Sequence, residues 1–145
     1  MTLLELIIAC SILMVLSSAA LPIAKYTIIR QKEAELRRDL REMKDAIDRY
    51  KDAADRNQIR VEIGSEGYPP DLETLVKGVQ LGAGSDRKIR FLRKIPIDPM
   101  TGHTDWGLRA VQDDPDSTSW GGQDVFDVHT TFSGTALDGT KYKDW

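Results

Sequence analysis

The chain has 145 residues, 41% of them hydrophobic and 30% charged, with a formal net charge of −3. That length holds one long apolar helix plus one small domain of roughly 90 residues, and excludes two full domains. The charge is divided, with 11 Lys/Arg against 8 Asp/Glu in residues 25–60 and then 9 against 14 in residues 61–145, so no concentrated basic patch marks a nucleic-acid surface.

Residues 1–24, MTLLELIIACSILMVLSSAALPIA, are apolar or small at nearly every position and carry one formal side-chain charge, Glu5. About 20 apolar residues at 1.5 Å each span roughly 30 Å of hydrocarbon, enough to cross a membrane. A cleaved secretory signal normally has a basic n-region and a shorter apolar core. Here no Lys or Arg precedes the run, and the polar residue inside it is an acid. An unpaired carboxylate in lipid costs on the order of a few kcal/mol, so Glu5 calls for a partner. If residue 1 is a true N-terminus, the nearest cation is the α-amino group of Met1, about 6 Å away along a helix axis. A second copy shifted by one turn would set its own amine against Glu5; the alternative is that Glu5 snorkels to the headgroups. The lone cysteine, Cys10, lies in this run and reads as a small packing residue. It permits no intrachain disulfide, and so says nothing of redox compartment. Lys25, Arg30 and Lys32 come after the run, and the positive-inside rule alone would keep the rest of the chain in the cytoplasm.

Residues 25–56 continue the helix, with no Gly or Pro between Ala24 and Asn57. Leu36, Leu40, Met43, Ile47, Tyr50 and Ala54 recur at spacings of four and three, an apolar stripe on one face. The stripe is read as the seat of the C-terminal domain, with a coiled-coil seam as the alternative. Other faces offer opposite charges at i,i+4: Glu33 with Arg37, Lys44 with Asp48, Lys51 with Asp55. Joined to the first segment, this predicts a helix of about 55 residues and roughly 80 Å.

Residues 57–70 are a transition broken by Gly64, Gly67 and Pro69-Pro70. Asp71 then reads as the N-cap of a short helix through Lys77, closed by Gly78. Residues 78–88 read as a flexible connector. Residues 89–95 are basic and apolar, and Pro96 and Pro99 make the adjoining segment irregular and stiff. Residues 103–112 and 123–131 read as strands around a turn-rich 113–122 loop. Asp138-Gly139 marks a turn in the aromatic closing segment.

Nothing has the spacing of a nucleophile elbow, a phosphate loop or a zinc helix. His103 and His129 are isolated and read as surface or turn residues. Asp113-Asp114-Pro115-Asp116 fails the EF-hand pattern, with Pro third and Thr118 where that loop needs Gly, and reads as a solvated turn. The chain is not expected to be an enzyme.

Two stretches resemble a known family. Met1-Thr2-Leu3-Leu4-Glu5-Leu6, together with the apolar run and Pro22, resembles the mature N-terminus of the type IV pilin superfamily, in which Phe usually stands at the first position. The resemblance implies a basic leader removed by prepilin peptidase, which would reconcile the charge rule with an exported head. It implies N-methylation of the Met1 amine, pairing of Glu5 with an adjacent subunit's amine, and a bend or melting point at Pro22. Whether residue 1 is a cleaved end or an initiator stays open. In the head, Tyr68-Pro69 before a Leu-rich helix, Phe91-Leu92, Ile95-Pro96-Ile97-Asp98-Pro99 and Val125-Phe126-Asp127-Val128 resemble the major pseudopilin (G-type subunit) of type II secretion. The chain departs from it at Met100-Thr101-Gly102, where the family usually has Trp-Gly soon after the Asp-Pro.

The implied fold is α+β and type IV pilin-like, a long N-terminal helix with a small antiparallel sheet packed on its C-terminal half. Residues 1–24 would form the transmembrane or filament-core helix, 25–56 its amphipathic continuation and 57–145 the globular head. The implied role is the structural major subunit of a type II secretion pseudopilus, a helical homopolymer that helps export folded proteins. Its partners would be other copies, prepilin peptidase, minor pseudopilins, membrane lipid before assembly and, indirectly, a platform protein and assembly ATPase. Its place would be the bacterial inner membrane, single-pass with a periplasmic head. The alternatives are the major subunit of a surface type IV pilus for adhesion or motility, or a non-polymerising single-span periplasmic binding protein. The absent second cysteine removes the disulfide-bounded loop common in adhesive pilins. Many major pseudopilins hold calcium in the terminal loop, a cation that takes six to eight oxygens. Here that loop offers chiefly Asp138, so no cofactor is certain and calcium stays open, with closure by Tyr142 and Trp145 as the alternative.

Overall fold

In the computed structural model, which describes residues 1–82 and 84–145, helix α1 (Leu3–Asp55) runs unbroken for 53 residues. Thr2 caps it, its hydroxyl accepting the Glu5 amide at 3.3 Å. The helix continues through Pro22, whose missing N–H leaves the Ser18 carbonyl without its usual partner one turn on. It ends where Asn57 takes a left-handed φ of 54° and the Gln58 amide bonds back to the Ala53 carbonyl at 2.9 Å, a C-terminal cap that an Asn tolerates.

The apolar stripe of α1 is the core of the molecule. Leu36, Leu40, Met43, Ile47, Tyr50 and Ala54 are all buried, and the head of the same chain covers them. That occupancy removes the coiled-coil alternative. Each fully buried Leu or Ile contributes about 2 kcal/mol, which is why the stripe, rather than helix propensity, anchors the head.

Helix α2 (Leu72–Lys77) starts on Asp71, whose carboxylate accepts the Thr74 amide at 2.6 Å, and stops at Gly78. Gly78 has a φ of 82°, and a Cβ there would stand 2.7 Å from the Ile89 carbonyl oxygen. The Leu75 carbonyl accepts the amides of Phe91 and Leu92, both at 3.0 Å. This pins Phe91 edge-on against Tyr50 of α1, with ring centroids 5.4 Å apart.

Strands β1 (Val79–Gln80) and β2 (Lys88–Ile89) pair antiparallel, Val79 opposite Ile89. The expected connector over residues 78–88 is therefore a short hairpin, with residue 83 outside the described residues. Its register is held by a bridge of Leu81 to Ile59 and by burial of part of Val79 and Ile89 on the core. Strands β3 (Gly107–Arg109) and β4 (Asp127–His129) pair antiparallel, Leu108 opposite Val128. The expected strands are here, shorter than their sequence ranges. Among the described residues the β structure is two two-stranded ribbons rather than one sheet, and β4 packs on α1.

Between the ribbons the proline-rich segment is held by polar anchors. Trp106 Nε1 donates to the Pro96 carbonyl at 2.9 Å. Asp98, fully buried, accepts the Met100 amide at 2.8 Å and the Thr130 hydroxyl.

Candidate functional site

The first half of α1 has no cover. From Leu3 to Ile28 every side chain is exposed, and none of its most apolar window is buried. The hydroxyls of Ser11, Ser18 and Thr27 donate to backbone carbonyls within the helix, at 2.7, 2.7 and 3.0 Å. Turned inward in this way, they add little polar demand to the surface. This helix is long and apolar enough to cross a membrane.

Glu5 lies in the first turn of this bare segment. It forms no ion pair among the described residues, with its own Met1 amine or with any side chain. Met1, Glu5 and Pro22 are separate positions along one exposed helix, and no intramolecular contact brings them together.

The head is latched to the middle of α1 by the C-terminal segment. Glu33 accepts the Tyr142 hydroxyl at 2.8 Å and the Leu137 amide at 2.9 Å. Arg37 pairs with Asp138 at 2.9 Å and lies 4.0 Å above the Trp145 ring. Lys44 reaches Asp127 at 3.0 Å and the Trp145 carbonyl at 3.2 Å. Two of the three expected i,i+4 pairs are thereby replaced, because Glu33, Arg37 and Lys44 reach the head instead; Lys51–Asp55 forms at 2.6 Å. These latch partners were hidden in the sequence, since their mates lie about a hundred residues away. Burial, and then Glu33, push the Tyr142 hydroxyl up to about 12.

No protein-family model, curated protein or solved structure matches this chain.

Asp138, the candidate calcium residue, is already engaged by protein donors on both carboxylate oxygens. One carboxylate oxygen accepts the amide and hydroxyl of Thr140, at 2.9 and 2.6 Å, and the other faces Arg37. These contacts, Thr140 first, hold its carboxyl below the usual range. No group of three or more acidic or His/Cys side chains converges among the described residues, and Lys141 and Lys143 flank the loop. Asp138 alone, engaged by a guanidinium and by Thr140, is far from the six to eight oxygens that calcium takes.

His129 corrects the surface reading. It is 4% exposed, and its ring fills the space beside Gly107, where a Cβ would stand 2.3 Å from Nε2. Its Nδ1 is buried without a partner among the described residues. Burial, with Arg109 nearby, lowers its pKa. His103 is exposed, as expected.

Arg109, another residue the sequence did not single out, is 7% exposed. It donates to the Ser117 and Lys143 carbonyls, both at 3.1 Å, and pairs with Asp127 at 3.2 Å. The acidic 113–116 run is more than a solvated turn. The Asp113 carboxylate accepts the Ala110 and Gly121 amides, at 2.8 and 3.0 Å, closing the loop and lowering its pKa.

Proposed function

We propose that this chain is the major structural subunit of a type II secretion pseudopilus. The observation that carries the reading is the division of α1: an uncovered apolar half bearing one unpartnered acid, continuous with a half whose stripe is fully occupied by its own head. A soluble monomer has no use for such a surface, and patches this large mark membrane or protein contact. The subunit waits in the inner membrane with its head in the periplasm. A platform protein and an ATPase extract it, and its apolar half is reburied among other copies.

Burying half of some 20 apolar side chains at ~1.5 kcal/mol each contributes on the order of 15 kcal/mol relative to water. Relative to lipid the gain is far smaller, so extraction needs an energy source and Glu5 supplies register by meeting the Met1 amine of a neighbour. The role is structural rather than catalytic.

The test compares proteins in the medium of a deletion strain and its parent by mass spectrometry. Loss of a defined set of folded exoproteins, with their retention in the periplasm, is the expected result. An unchanged set, with long surface filaments on the parent, would move the assignment to a type IV pilus. Monomer alone in the membrane would move it to a single-span binding protein. Glu5→Ala should insert normally yet yield few filaments, and normal assembly of that variant would remove Glu5 from the mechanism.

A further inference from the structure

The face of α1 opposite the buried stripe is exposed, and its charges are segregated. Arg30, Arg38 and Arg41 occupy its lower part, and Asp45, Asp52 and Asp55 its upper part; all six side chains are exposed. At 100° per residue these positions fall on the side away from Leu36, Leu40 and Met43. Of the acids within the basic part, Glu33 and Glu35 lie to the sides of this face, and Asp39 is buried near the apolar stripe. Of the arginines near the acidic part, Arg49 is drawn to the head, donating to the Phe91 carbonyl at 2.7 Å, and Arg56 pairs with Asp52 at 3.0 Å. Arg30, Arg41 and Asp45 form no ion pair among the described residues. Arg38, Asp52 and Asp55 have only local ones, to Glu35 and Asp39, to Arg56 and to Lys51, which exchange readily at an exposed surface.

The spacing between the two belts is regular. Arg30 to Asp45 is 15 residues, and Arg38 to Asp52 and Arg41 to Asp55 are 14 each. Four helical turns are about 14 residues, or roughly 21 Å. A parallel copy displaced by that distance therefore sets each of the three arginines against an aspartate while the same face stays turned inward.

We infer that this face is a contact surface for a second copy of the same chain, staggered axially by about four turns, with the basic belt of one against the acidic belt of the next. The inference rests on the polymer reading above and adds a contact with a different neighbour, four turns away, from the one whose Met1 amine meets Glu5 at a one-turn shift. The contact is head-to-tail, so each copy leaves one belt free for a further copy, the requirement for an open filament. Copies side by side at equal height oppose like charges. An antiparallel pair would also match the belts, but it would point the two apolar half-helices in opposite directions, which one bilayer does not allow.

The test uses the full-length chain in cells carrying the assembly machinery, with sedimentable filament as the readout. Arg30→Glu with Arg41→Glu should lower filament yield roughly ten-fold, as expected when exposed pairs are turned from attractive to repulsive. Adding Asp45→Lys and Asp55→Lys restores the opposite sign and should recover most of the yield. Thermal unfolding of each variant in detergent should match the parent, since these side chains do not hold the head. Normal assembly of the double variant, or a quadruple variant as impaired as the double, overturns the belt contact while leaving the polymer reading in place. Absence of filaments from the unaltered chain removes both.

Discussion

Tyr142→Phe tests how the head is fastened to its helix. The phenol is 3% exposed, and its hydroxyl donates to Glu33 at 2.8 Å. The ring packs on Phe132 and Trp145, with centroids 5.7 and 5.1 Å away. Phenylalanine keeps that packing and deletes only the hydrogen bond. A bond to a charged group contributes ~1.5–3 kcal/mol; Glu33 is half-buried and keeps the Leu137 amide, which favours the low end. A loss of about 1.5 kcal/mol lowers the melting temperature by about 6 °C.

The same hydroxyl makes stability pH-dependent. Its folded pKa of about 12 stands above the ordinary 10.0, so the unfolded chain releases this proton first as pH rises. The contribution is whole below pH 10 and is lost as pH climbs towards 12, about 3 kcal/mol in all. Circular-dichroism melts of the full chain in detergent, near neutrality and across the alkaline range, measure both effects. A phenolate absorbance titration of the parent minus the variant isolates Tyr142. Equal melting temperatures near neutrality, together with equal alkaline losses, would refute the latch.

Two further outcomes concern the head. His129 is held below its ordinary 6.5 by burial first, so the unfolded state takes up its proton before the folded state does. Stability should therefore fall as pH drops below 6.5, and His129→Gln should flatten that limb of a urea-midpoint profile; an unchanged slope would remove His129 as its source. Because Arg37 and Thr140 already engage both oxygens of Asp138, chelator and added calcium should leave the melting temperature unchanged, whereas Arg37→Ala should cost about 1 kcal/mol of stability. Stabilisation by calcium would show that Asp138 exchanges these donors for the cation.

Much of the molecule is local, and local features were legible in the chain itself. The long helix comes from an uninterrupted run without Gly past residue 24. The core stripe comes from alternating three- and four-residue spacing, and the second helix from Asp71 and Gly78 as start and stop. Each of these depends on side chains within a turn or two of one another. Glu5 stood out for the same reason, as one charge in a run of apolar neighbours.

Only the tertiary structure decided the pairings across long sequence separations. Glu33, Arg37 and Lys44 carried credible local partners, yet the first two bond to residues about a hundred positions away and Lys44 to Asp127. An exposed i,i+4 pair is worth only a few tenths of a kcal/mol, too little to hold a side chain once the folded head brings a better-placed partner. His129 turned from an assumed surface residue into a buried one because its strand faces the space beside Gly107, which period and composition do not encode. The hairpin over residues 79–89 was likewise unreadable, since strands of two residues carry no periodicity and exist only where Ile59 and the core hold them. Sequence thus determined the two α-helices and the bare apolar half-helix, because both arise from neighbouring residues. The three-dimensional chain alone decided which charges fasten the head and which remain outside, because that depends on proximity created by the fold.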